Sequence, residues 1–229
     1  FNGNEIYDGT KNPLGVAFNS QSFSGKLTLD ELKKHLYFND NPVTNDAHMY
    51  HCSWLYKPWI KDWGLTPPAS FVKNLKDGEY QIELETSFES GEMIIADCHI
   101  KGEKDETIIL QSHTCHPHMA NDGFAGTSIM IRLMQNLMSK KNLFSYRLIL
   151  CPEHLGTIFY LNQINSNEIN NFVGGVFSEM LGSSSYITMG STFWGNHYLD
   201  SVMGHVGKFY LEEFKMLPFR QTVGNDETV

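Results

Sequence analysis

Two apolar runs, Thr107-Ile108-Ile109-Leu110 and Arg147-Leu148-Ile149-Leu150-Cys151, constrain this chain most. Strands that read as near-continuous hydrophobics are buried on both faces, as in a parallel sheet covered by helices. Between them Ala125, Ile129, Leu133 and Leu137 recur every four residues, which predicts an amphipathic helix over 123–139. The pattern continues with a helix around 155–165, a strand at 172–180, a short strand at 185–189 and a helix at 196–214. Upstream, Tyr80-Gln81-Ile82-Glu83-Leu84-Glu85 alternates as a half-exposed strand. Ser90-Gly91 then predicts a turn, with 93–100 as the return strand of a hairpin. This order predicts an α/β fold, a three-layer α/β/α sandwich with a mixed, largely parallel sheet.

Residues 1–76 read differently. They are rich in Asn, Gly, Ser, Pro and aromatics, with one short helix in which Thr28 and Glu31 form a capping box. Trp54, Tyr56, Trp59 and Trp63 follow among prolines and glycine, a pattern that fits the core of a loop-rich lobe better than a ligand platform. The expected division is therefore a smaller accessory lobe at 1–76 and the sandwich domain at 77–229.

Composition narrows the function. The 229 residues are 41% hydrophobic and carry a net charge of −9, enough apolar content for a core. That charge is the wrong sign for a nucleic-acid backbone or an anionic membrane surface. No apolar run approaches the roughly 20 residues that span a bilayer. Cys52, Cys98, Cys115 and Cys151 form no CxxC pair and read as buried or site-lining thiols, which suits a cytoplasmic setting. Phe1 is followed by no signal-like segment, and the polar close at Asn225-Asp226-Glu227 leads us to expect a piece of a longer protein.

The chemistry gathers where three predicted strands end, which is where sites collect in such sheets. Ser112-His113-Thr114-Cys115-His116-Pro117-His118 with Asn121-Asp122-Gly123 follows the first strand. Pro152-Glu153-His154 follows the second, and Ser178-Glu179-Met180 ends the third. Imidazoles and carboxylates in one pocket suit zinc or a similar divalent cation. Asp122, at a loop-to-helix junction, fits a bridging ligand. A carboxylate base that deprotonates a metal-bound water makes a hydrolytic device. His116 and His118 cannot both join His113, so at least one faces solvent or supports another group. His35, His48, His51, His99, His197 and His205 carry no functional weight. Cys115, flanked by His113 and His116, also suggests a nucleophile, but that role leaves the carboxylates without work.

These residues resemble the zinc aminopeptidases with a two-metal site, the family of bacterial leucyl aminopeptidases and glutamate carboxypeptidases. More closely, the His–Cys–His–Pro run with Ala120-Asn121-Asp122 resembles aminopeptidase-like proteins of bacterial polysaccharide or surface-glycan biosynthesis. The resemblance implies one or two zinc ions held by His113, Asp122, His154 and Glu179, with Glu153 as general base. His154 stands where the wider family carries a second acid after the base, and Glu179 replaces an Asp. A late His ligand would fall beyond Val229, and Asn225-Asp226-Glu227 resembles the Ser-Asp-His stretch that precedes the last strand of that family. The implied activity is hydrolysis of a peptide or amide bond in a small metabolite, with homo-oligomers left open. A one-metal cyclase of glutaminyl cyclase type, or an inactive binding module, are the alternatives.

Overall fold

Phe23, Gly25 and Leu27 are half-buried and alternate with exposed neighbours, forming strand β1 (Phe23–Thr28). Thr28 caps the helix that follows, α1 (Leu29–Leu32): its hydroxyl accepts from the Glu31 amide, while the Glu31 carboxylate accepts from the Thr28 amide at 2.9 Å. After α2 (Ala69–Lys73), strand β2 (Glu79–Leu84) pairs antiparallel with β1 along its whole length, from Thr28 opposite Glu79 to Phe23 opposite Leu84. Leu29, Leu32, Leu36, Trp63, Val72 and Tyr80 form the core beneath this pair. Trp63 is stacked between Phe23 and His35, at centroid distances of 4.5 and 4.2 Å. Trp54 is also buried, whereas Tyr56 and Trp59 stand exposed, so the aromatic cluster divides between core and surface.

A computed structural model describes residues 1–222, which fall into two units, Phe1–Gly91 and a second starting at Glu92. Two expectations change here. The predicted hairpin does not form, because β2 takes β1 as its partner and β3 (Ala96–Ile100) pairs elsewhere. The boundary accordingly lies at Gly91 rather than 76, since β2 is inseparable from the first unit's sheet. The closing Asn225-Asp226-Glu227 lies outside the described residues.

The second unit carries a four-stranded sheet in the order β3, β5 (Ser145–Cys151), β4 (Thr107–His113), β6 (Phe172–Phe177). The strands β5, β4 and β6 are parallel, and β3 runs antiparallel to β5 on the outer edge. Helix α3 (Gly126–Met138) covers one face, where Met130 and Met134 pack on Leu110 and Leu148. Helix α4 (Leu155–Gln163) covers the other, where Tyr160 packs with Ile149 and Cys151. Leu148 and Ile149 serve opposite layers because strand side chains alternate. The mixed, largely parallel α/β/α sandwich is thus present. A short helix, α5 (Ser166–Ile169), leads to β6. Beyond it, β7 (Ile187–Gly190), α6 (Tyr198–Tyr210) and β8 (Phe214–Leu217) make a separate parallel pair with its crossover helix. The helix expected over 196–214 therefore ends at Tyr210, where the Phe214 ring occupies the space beside Gly207.

An ion network locks β3 to β5. Arg147 donates from Nε to Asp97 at 2.9 Å and from Nη2 at 2.6 Å, and also pairs with Glu168 on α5. Burial alone would raise the Asp97 pKa, but the Arg147 hydrogen bonds and charge, with the Tyr160 hydroxyl, hold it below the usual range.

Helix α3 forms where periodicity places it, yet it is rotated. Its buried positions are Gly126, Thr127, Met130 and Met134, while Ile129 remains 46% exposed and Leu133 is also exposed. A repeat of four drifts by about 40° per step on a helix of 3.6 residues per turn, so it cannot hold one face. Close fit sets the rotation instead: a Cβ on Gly126 would lie 2.2 Å from the Ser178 carbonyl oxygen, and Thr127 Oγ1 donates to the His113 carbonyl at 2.9 Å. Truncating Met134 to Ala should therefore cost about 2–5 kcal/mol of stability in urea unfolding, whereas Ile129→Ala should cost much less.

Candidate metal centre

Because β4 lies between β5 and β6, the carboxyl ends of all three strands are adjacent, and each carries one polar cluster. The chain steps from β4 to its neighbour β5 and then crosses back to β6, a reversal at which ligands bind in open parallel sheets.

His113 ends β4 with its side chain 1% exposed and its ring edge-on to Phe177, the two ring centroids 4.7 Å apart. Its Nε2 lies 3.4 Å from Glu179 Oε1, just past β6, and that carboxylate is 7% exposed. Burial pushes the Glu179 pKa up; its hydrogen bond to and charge attraction for His113 oppose this, and Asp122, hydrogen-bonded nearby, reinforces it. Asp122 also receives His116 Nε2 at 3.1 Å, while His116 Nδ1 faces the Pro117 carbonyl at 2.8 Å. His118 is exposed, so of the two histidines in doubt one supports Asp122 and the other faces solvent.

The loop carrying Asp122 is held tightly. Ala120–Ala125 makes a kinked turn in which Gly123 takes φ +120, and a Cβ there would meet the His113 carbonyl at 3.0 Å. Only glycine reaches that conformation readily. Ser112 Oγ donates to the Ser178 carbonyl at 2.9 Å, and Asn121 Oδ1 accepts from the Gly182 amide at 2.7 Å. The loops after β4 and β6 are thereby tied together.

After β5, Glu153 and His154 lie at the start of α4, with His154 Nε2 3.4 Å from Glu153 Oε1 and its backbone at φ +55. Among the described residues, one set of three His, Cys, Asp or Glu donors closes to within 4.8 Å of one another: His113, Cys115 and Glu153. An imidazole, a thiol and a carboxylate at that spacing are donors that suit zinc. Asp122, His154 and Glu179 lie outside this set, each linked to its neighbours as described. Cys115, expected as a site-lining thiol or a nucleophile rather than a ligand, joins the donor set. Its position two residues after His113, in the loop that leaves the strand end, was the signal that it could lie near that ligand. None of the four cysteines is in a disulfide, and among the described residues no helix is long and apolar enough to cross a membrane.

Comparison with known proteins agrees with the fold. Residues 12–229 match the family model described as Domain of unknown function (DUF4910). A Clostridium acetobutylicum protein provisionally named as a polysaccharide biosynthesis protein with aminopeptidase-like domain is 29% identical over 217 residues, covering 93% of this chain and 48% of its own. A crystal structure of a provisionally named peptidase from Clostridium acetobutylicum superposes with a TM-score of 0.86 at 27% identity, covering 99% of this chain and 52% of the other. The chain thus spans about half the length of the relatives it matches, and its fold is that of a peptidase-like hydrolase.

The sign of the Glu179 shift gives a test. A carboxyl whose pKa is raised by folding favours the native state most below its unfolded value, about 4.3, and loses that advantage as pH rises through the folded value. In metal-free protein, Glu179→Gln should raise the thermal midpoint at pH 7 and change it little near pH 4.

Proposed function

The chain belongs to the DUF4910 family, and we propose that within it this protein is a zinc-dependent hydrolase that cleaves a peptide or amide bond. The observation that carries the reading is the group of His113, Cys115 and Glu153 donors within 4.8 Å at adjacent strand ends, in a chain whose solved relative is named as a peptidase. The donor chemistry fits the metal, with His113, Asp122, His154 and Glu179 as the residues around it. Bound zinc supplies Lewis acidity, polarising the scissile carbonyl and making water acidic near neutral pH.

The chain's own groups then have distinct tasks. His113 is fixed by burial against Phe177, so its ring cannot swing away from the site. His116 orients the Asp122 carboxylate, which in turn lies at hydrogen-bond distance from Glu179. Glu153, held beside His154, takes a proton from the attacking water and returns it to the leaving amine as the C–N bond breaks. An amide on a modified sugar or amino acid as substrate is compatible with the name of the Clostridium relative, and four cysteines outside any disulfide suit work in a reducing cytoplasm.

Metal analysis of the intact protein should find about one or two zinc ions per chain, the number such sites hold. Glu153→Gln should retain that zinc and lower turnover of amide substrates by roughly 10²–10⁴-fold. A folded protein that takes up no zinc would overturn the reading, and loss of zinc in Glu153→Gln would move Glu153 from base to ligand.

A further inference from the structure

We propose that Cys115 is a thiolate ligand of the same metal that His113 holds, an inference that rests on the metal-centre reading above. Backbone geometry brings the two together. Strand β4 closes at His113, but its pairing with β5 continues one step further, through the Thr114 amide to the Cys151 carbonyl at 3.0 Å. The Cys115 sulfur lies within 4.8 Å of both the His113 nitrogen and the Glu153 oxygen. The other cysteines lie elsewhere: Cys98 is on edge strand β3, Cys52 is in the first unit, and Cys151 is sealed against Thr157.

A sulfur donor changes what the centre selects. Imidazole and carboxylates alone accept manganese or magnesium as readily as their geometry allows, whereas a thiolate favours zinc and cobalt over hard cations. Binding also releases the thiol proton to solvent, so uptake of metal is accompanied by acidification beyond what carboxylates and a neutral imidazole give.

Cobalt(II) reads this directly, without any substrate. Titrating the metal-free full chain should produce visible d–d bands together with a near-ultraviolet thiolate-to-cobalt charge-transfer band, both saturating at the same stoichiometry. Cys115→Ser should lose the near-ultraviolet band, and Cys98→Ser should keep it. In the unsubstituted protein, cobalt or zinc should protect Cys115 from alkylation, mapped by peptide mass spectrometry, which tests the ligand even if Cys115→Ser fails to fold. Visible bands without charge transfer, a band that survives Cys115→Ser, or a Cys115 alkylated equally with and without metal would overturn the assignment while leaving the hydrolase reading intact. No cobalt or zinc bound at all would overturn both.

Discussion

Everything at the candidate centre depends on β4 being hydrogen-bonded on both sides by parallel neighbours. Residues 107–113 pair with 145–151 on one edge and with the β6 strand on the other. A parallel ladder fixes not only adjacency but direction, so all three strands deliver their following residues at the same rim. Groups separated by dozens of residues in sequence, such as His113 and Glu179, then come within 3.4 Å. The two helical layers make this arrangement stable by burying Leu110 and Leu148 on one face and Ile149 and Cys151 on the other.

The rim is stiffened by neutral hydrogen bonds rather than by its own charges. Ser112, Thr127 and Asn121 each satisfy backbone groups of the loops that carry Asp122 and Glu179. This division matters because burial first, and then the neighbouring Asp122 carboxylate, push the Glu179 pKa up and disfavour its charged form. A divalent cation removes that conflict, which is why the electrostatics and the donor chemistry lead to the same reading.

Much of the sandwich was legible because its determinants are local. The strands β4 and β5 announce themselves as apolar runs, the capping box at Thr28 and Glu31 is a three-residue spacing, and the strand-end clusters stand out where hydrophobicity stops. What was not legible is decided at a distance. The partner of β2 is β1, and β3 is recruited to β5 by a network centred on Arg147 and Asp97, neither of which marks a hairpin as wrong. The rotation of α3 comes from the contact of Gly126 with Ser178, not from the helix's own repeat. At the site, the donors were identifiable as residue types, but which of them approach one another depends on loop dihedrals. His154 at φ +55 and Met180 at φ +51 are turns that residue identity does not predict.

The kink at Gly123 has a genetic consequence. This residue has no ionisable group, contributes no side-chain donor and would escape any inventory of reactive side chains, yet its φ of +120 makes the kink directly after Asp122. Missense changes at that codon would strain the turn that carries Asp122 while leaving every candidate ligand in place. A survey of variants that scores only histidines, cysteines and carboxylates would count such alleles as intact.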